Sequence, residues 1–139
     1  MADKIEDQSG GGADFKDLYQ RYRQAIVPVI TKDGAGDEHI GSAFHVGDGS
    51  FVSARHVFEG QVSYRIETDG GADLHAVTPL FHPDESVDVA AFSIPSLAGL
   101  PAVPLGGHLD DWIDDHEFVL NEVLVLGYLP IPLAARCTR

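Results

Sequence analysis

Apolar positions along the chain change period early. Phe15, Leu18, Tyr19 and Tyr22 fall at i, i+3, i+4 and i+7, one face of a helix. Asp14, immediately ahead of them, is a suitable N-cap. Pro28 and the β-branched cluster Ile26, Val27, Val29 and Ile30 stop that helix near Gln24, and a strand region starts over 29–31. From there the pattern is one of short runs separated by glycine and aspartate. A loop at 33–37 leads to a strand over 39–46, in which Phe44 and Val46 are read as inward and His45 as facing solvent. Gly47-Asp48-Gly49 is a tight turn, followed by a short strand over 50–53. Residues 61–67 alternate, with Val62, Tyr64 and Ile66 on one face. Asp69-Gly70-Gly71 is a further turn, and a strand over 74–80 ends at Phe81. Residues 87–94 are mostly apolar and read as a buried strand, and 118–126 as the last strand.

Many short strands joined by hairpin-sized turns, with a single short N-terminal helix, predict an all-β chain. No strand is followed by a 10–15-residue amphipathic helix, which argues against a βαβ layout and for an antiparallel barrel or sandwich. Residues 1–13 are polar, end in Gly10-Gly11-Gly12 and read as a flexible acidic, glycine-containing tail; residues 14–24 are the helix.

Composition narrows the function classes. Of 139 residues 44% are hydrophobic, enough for a core, and the formal net charge is −13. The excess is concentrated in residues 33–122, where 17 acids face two bases, Arg55 and Arg65, a local balance of −15. Such a surface repels phosphate backbones, so no nucleic-acid partner is expected. Cys137 is the only cysteine, which excludes an internal disulfide and a four-cysteine metal site. Seven histidines stand at 39, 45, 56, 75, 82, 108 and 116, but no His-Glu-x-x-His or comparable spacing occurs; no metal and no cofactor are expected. The N-terminus is acidic without an apolar signal core, and no run of 18 apolar residues exists, so the expectation is a cytoplasmic protein without a membrane partner. Trp112 sits among Asp110, Asp111, Asp114 and Asp115 in an acidic loop at 106–117, as a loop anchor or as a patch for a basic peptide.

The densest local pattern is Gly41-Ser42-Ala43-Phe44-His45-Val46, a glycine turn, then Phe51-Val52-Ser53-Ala54-Arg55-His56-Val57-Phe58. Small side chains here let another segment approach closely and leave the His56 imidazole at a strand's end. Thirty-two residues on, Asp88 opens an apolar run, where a partly buried carboxylate needs a partner. His56 is the natural one: an aspartate that accepts the Nδ1 proton fixes the tautomer and leaves Nε2 as a base. The alternative is a solvent-exposed histidine and an aspartate that caps a turn.

The segment from Gly41 to Gly60 resembles the region around the catalytic histidine of trypsin-like (chymotrypsin-fold) serine peptidases, and is most similar to the bacterial, disulfide-free and Htr-type forms. Gly41-Ser42-Ala43-Phe44 stands for a Gly-Ser/Thr-Gly-Phe strand, Ser53-Ala54-Arg55-His56 for a Thr/Ser-Ala-x-His motif, and Val87-Asp88-Val89-Ala90 for the aspartate motif. Gly127-Tyr128-Leu129-Pro130 is loosely similar to the turn that enters the second barrel. The resemblance implies the first six-stranded antiparallel β-barrel of a double-barrel fold over 25–130, an inter-barrel linker cut short over 131–139, and a serine endopeptidase acting through a Ser-His-Asp triad, with His56 and Asp88 as its catalytic residues. It also implies a nucleophile in a Gly-x-Ser-Gly context, and none of the eight serines, at 9, 42, 50, 53, 63, 86, 93 and 96, has one. The expectation is therefore a truncated domain, inactive alone: the front half of a longer protease, one partner of a second chain, or a short non-catalytic β-barrel interaction module binding a protein. A polypeptide substrate follows if a second barrel is present, and without one the barrel face is free for self-association.

Overall fold

The computed structural model describes residues 14–106 and 124–128. The tail at 1–13, the acidic loop with Trp112, most of the expected strand at 118–126 and the linker at 131–139 lie outside the described residues.

The Asp14 carboxylate accepts from the Lys16 amide at 3.0 Å and opens helix α1, Phe15–Tyr22. Phe15, Leu18 and Tyr22 turn toward the protein while Tyr19, expected on the same face, is exposed. A 3-10 turn over Arg23–Ala25 hands the chain to β1, Ile26–Asp33. Pro28 lies inside this strand, although it lacks an amide to donate. Pairing with β4 (Gln61–Thr68) begins only at Val29, so at Pro28 the strand has one neighbour, where proline is tolerated.

The turn after β1 is held by Asp33, whose Oδ1 accepts from the amides of Ala35 and Asp37. It leads into β2, Glu38–Gly47, and then β3, Ser50–Ser53. Helix α2, Arg55–Phe58, is a single turn and precedes β4; the remaining strands are β5 (Asp73–Ala76), β6 (Leu80–Phe81) and β7 (Ala90–Ser93). All pairings are antiparallel, in the order β5-β4-β1-β2-β3-β7-β6.

The two outermost strands are consecutive in the chain, separated only by residues 77–79. The Val77 amide still bonds the Tyr64 carbonyl on the β4 side, and the His82 amide bonds the Val89 carbonyl beside β7. One bent stretch thus serves both edges and curls the sheet on itself, so that the six strands expected become seven segments, with Pro79 in the break. The expected strand at 87–94 shortens to β7, leaving Val87, Asp88 and Val89 in the preceding loop. Residues 124–126, expected as strand, have none.

The core comes from the odd-numbered positions of β1 and β2. Val27, Val29, Thr31, Ala43 and His45 point inward with Phe51, Phe58, Ile66, Ala90 and Phe92. Phe51 and Phe92, paired across β3 and β7, stack at 5.2 Å, and Phe58 meets Phe92 edge-on at 6.0 Å. Each such ring contributes about 1.5–3 kcal/mol through burial. Phe58 matters most for the site: it closes α2 and roots that short helix in the core, two residues beyond His56.

His45 corrects the expectation of a solvent-facing side chain: it is 0% exposed. The alternation of β2 runs in the opposite phase, with Ala43 and His45 inward and Phe44 and Val46 only half-buried on the outer face. Burial is tolerated because both ring nitrogens are satisfied. Nε2 accepts from the Gly49 amide at 2.9 Å, which requires the proton on Nδ1, and Nδ1 faces the Leu100 and Pro101 carbonyls at 3.1 Å each. The His45 carbonyl accepts from the Val103 amide at 2.8 Å, so this residue ties the chain after β7 to the barrel.

Candidate active site

Gly41 in β2 places α2. A Cβ at Gly41 would lie 2.7 Å from Val57 Cγ1 and 2.9 Å from Cγ2, so only glycine lets the helix settle this close to the strand. Ser53, the last residue of β3, donates to the Ser42 carbonyl at 2.7 Å and ties the two strands together just before the chain turns into α2. Gly41 thus lets α2 approach β2, and His56 is carried at the barrel's rim.

Asp88 arrives from the loop at 82–89. Its carboxylate straddles His56: Oδ1 accepts from the His56 backbone amide at 2.9 Å and Oδ2 from ring Nδ1 at 2.6 Å. Two bonds from one carboxylate fix both the backbone and the ring plane, put the proton on Nδ1 and leave the Nε2 lone pair directed away from Asp88. The His56 ring bond, followed by the backbone bond, holds the Asp88 carboxyl below its ordinary value, because both stabilise the anion; desolvation opposes them. Contrary to the expectation of a partly buried carboxylate, the pair lies open, with the side chains 73% and 54% exposed.

A cleft of about 490 Å³ opens beside His56, lined among others by Thr31, His39, Ser42, Gln61 and Tyr128. Thr31 Oγ1 and Gln61 Oε1 are buried there without a protein partner among the described residues. Ser42 Oγ, the one serine of this lining, accepts from the Tyr128 amide at 2.6 Å. His39 is paired instead with Asp33, Nε2 to Oδ2 at 2.9 Å. A larger cleft of about 930 Å³ lies between α1, β1 and the turn at 69–71 and does not include His56. Its lining contains no histidine, so the His56–Asp88 pair borders only the smaller one.

Among the described residues no three metal-binding side chains converge. His82, Asp84 and Asp88, close in sequence, are drawn to separate tasks: His82 Nδ1 accepts from the Asp84 amide, Asp84 takes the amide and hydroxyl of Ser86, and Asp88 takes His56. No helix among the described residues is long and apolar enough to cross a membrane.

Sequence reasoning missed one participant. Arg55 donates Nε to the Glu59 carboxylate and Nη1 to the His82 carbonyl at 3.1 Å, and its guanidinium lies 4.9 Å from the Phe81 ring centroid. The i, i+4 spacing of Arg55 and Glu59 was the only trace of this in the sequence.

Neither a family model nor a curated protein matches the sequence. Solved structures do match. The HtrA-type protease AlgW, solved with a tripeptide, is similar at TM-score 0.56 and 22% identity, covering 66% of this chain and 29% of that one. A serine endoprotease from Yersinia pestis is similar at TM-score 0.55 and 19% identity, covering 66% of this chain and 33% of that one. The chain therefore spans about a third of the proteins it matches. With its curled antiparallel sheet and short N-terminal helix, the protein has the fold of a trypsin-like serine protease barrel.

Proposed function

We propose that this chain carries the general-base side of a trypsin-like serine endopeptidase site. The observation that supports it is the double bond from the Asp88 carboxylate to the amide and the Nδ1 of His56, on a barrel of this fold. In this reading His56 Nε2 takes the proton of a serine hydroxyl as that oxygen attacks a peptide carbonyl. It then gives the proton to the leaving amine as the acyl-enzyme forms, and water repeats the exchange. Asp88 holds the ring in the required tautomer and stabilises the imidazolium. The nucleophile and the oxyanion-binding amides come from a second barrel, since no serine of the 139 residues has the Gly-x-Ser-Gly context. The substrate is a polypeptide running past the cleft beside His56.

The missing motif also favours a second reading, a non-catalytic barrel that binds a protein partner. A fluorophosphonate probe separates the two. The 139-residue chain alone should not be labelled. Expressed from its whole gene, the protein should be labelled at one serine, and His56→Ala should abolish the labelling. An unlabelled whole-gene product would overturn the peptidase reading and leave the binding module.

A further inference from the structure

His56 and Asp88 belong to different pieces of chain. His56 sits on a helix of one turn. Asp88 sits in the loop at 82–89, whose residues are exposed except for a half-buried Val87. Within the loop the bonds are local: His82 Nδ1 with the Asp84 amide, Asp84 with Ser86 and with the Val87 amide, and the Val89 amide with the Val87 carbonyl. These shape the loop without placing it. Its two ends are pinched where the His82 amide meets the Val89 carbonyl. This bond continues the β6–β7 pairing of Leu80 with Ala91 and Phe81 with Ala90, so whatever ties His82 to α2 ties the base of the Asp88 loop to it.

Arg55 holds it. Nη1 donates to the His82 carbonyl, on the same residue whose amide closes the loop. The guanidinium lies over Phe81, the last residue of β6, so strand end and loop base are gripped together. Nε is braced by Glu59 at the far end of α2. The Arg55 side chain is only 13% exposed, unlike the open pair it adjoins. Apart from the pair itself, this is the side-chain bond from α2 to the Asp88 loop among the described residues. A planar cation with several donors suits the place, since one group must meet a carboxylate, a carbonyl and a ring face at once.

We propose that Arg55 is a positioning residue for the His56–Asp88 pair, clamping the base of the loop that carries Asp88 onto the helix that carries His56. The clamp acts through Asp88 and touches no reacting atom. It deepens the peptidase reading, but it is a statement about geometry and is tested without any turnover.

The test is the hydrogen-bonded His56 Nδ1 proton, observed by NMR in the ¹⁵N-histidine-labelled 139-residue chain, with His56→Ala to assign it. Arg55→Met keeps an apolar stem against Phe81 and removes the donors. Its far-downfield Nδ1 signal should be lost while the backbone amide spectrum stays that of a folded barrel. Arg55→Lys, which retains a cation and a donor, should restore the signal at least in part. Glu59→Ala, at a half-exposed position, leaves Arg55 in place without its brace and should broaden the signal; this variant keeps the test open if Arg55→Met does not fold. A sharp, unshifted Nδ1 proton in folded Arg55→Met, or in Glu59→Ala, would overturn the proposal. Either result stands apart from fluorophosphonate labelling, so a failed clamp and a failed peptidase reading are told apart.

Discussion

Asp88 directs both carboxylate oxygens to a single residue, and this has a measurable consequence. Since His56 lowers the carboxyl's titration through both its ring and its amide, removing the ring removes the larger cause and leaves the smaller. A carboxyl ¹³C titration should place Asp88 below the ordinary aspartate range in the native chain and move it upward, without full return, in His56→Ala. An unchanged midpoint would mean that the ring bond does not form in solution. Gly41 is the second residue whose chemistry is forced. Val57 is β-branched and cannot swing aside from a new Cβ. Gly41→Ala should cost about 1–3 kcal/mol in urea denaturation by overpacking, and should displace α2, so the Nδ1 proton of His56 should weaken in the same variant. A fully stable Gly41→Ala would show that α2 sits further from β2 than described.

Strand β2 and helix α2 bear on the site through what they anchor. Phe58 roots α2, and Phe58→Ala should lose about 3–5 kcal/mol together with the ordered pair above it. His45 anchors the far end of β2, beside the turn at 47–49, where a buried amide and two carbonyls depend on its ring. His45→Leu fits the space but satisfies none of them, at about 1–3 kcal/mol for each group left unpaired. The expected result in urea denaturation is a loss larger than that of an exposed control such as His39→Leu, which gives up only a solvent-accessible bond to Asp33. Equal losses would contradict the buried network.

Charge acts on the molecule as a whole. With a net charge of −13 the folded chain repels itself, while among the described residues the ion pairs are few, and Arg55–Glu59 and Arg65–Glu38 each leave the carboxylate about half-exposed. Screening weakens both, but acids outnumber bases by more than two to one, so repulsion is the larger effect. Raising ionic strength from about 0.01 to 0.15 M should therefore raise Tm, and a falling Tm over that range would refute the balance. Acid works in the other direction. Asp33, Asp84 and Asp88 are all held below the ordinary value, by His39, Ser86 and His56 respectively as first cause. A depressed carboxyl adds stability above its unfolded value and loses it as pH falls through the folded one. Acid unfolding is thus expected to gather below about pH 4, the unfolded aspartate range, and not near neutrality.

Local chemistry sufficed for much of this protein. The N-cap at Asp14, the glycine turns at 33–37 and 47–49 and the existence of the short strands follow from residue type and short spacing, because each depends on neighbours a few residues away; the pairing of His56 with Asp88, 32 residues apart, was legible only through the motifs that resemble a known family. What the sequence could not decide was phase, closure and support. Ala43 and His45 turn inward in place of Phe44 and Val46 because β1 and β3 fix which side of β2 faces the core, and a buried imidazole is tolerated only where Gly49, Leu100 and Pro101 meet it. A single run at 73–81 splits into two strands because it must serve both edges of a curled sheet. Arg55 reads as a surface cation until the fold brings Phe81 and His82 beneath it, 26 and 27 residues away in the chain. Contacts of that separation are set by the closing of the barrel, and no local pattern carries them.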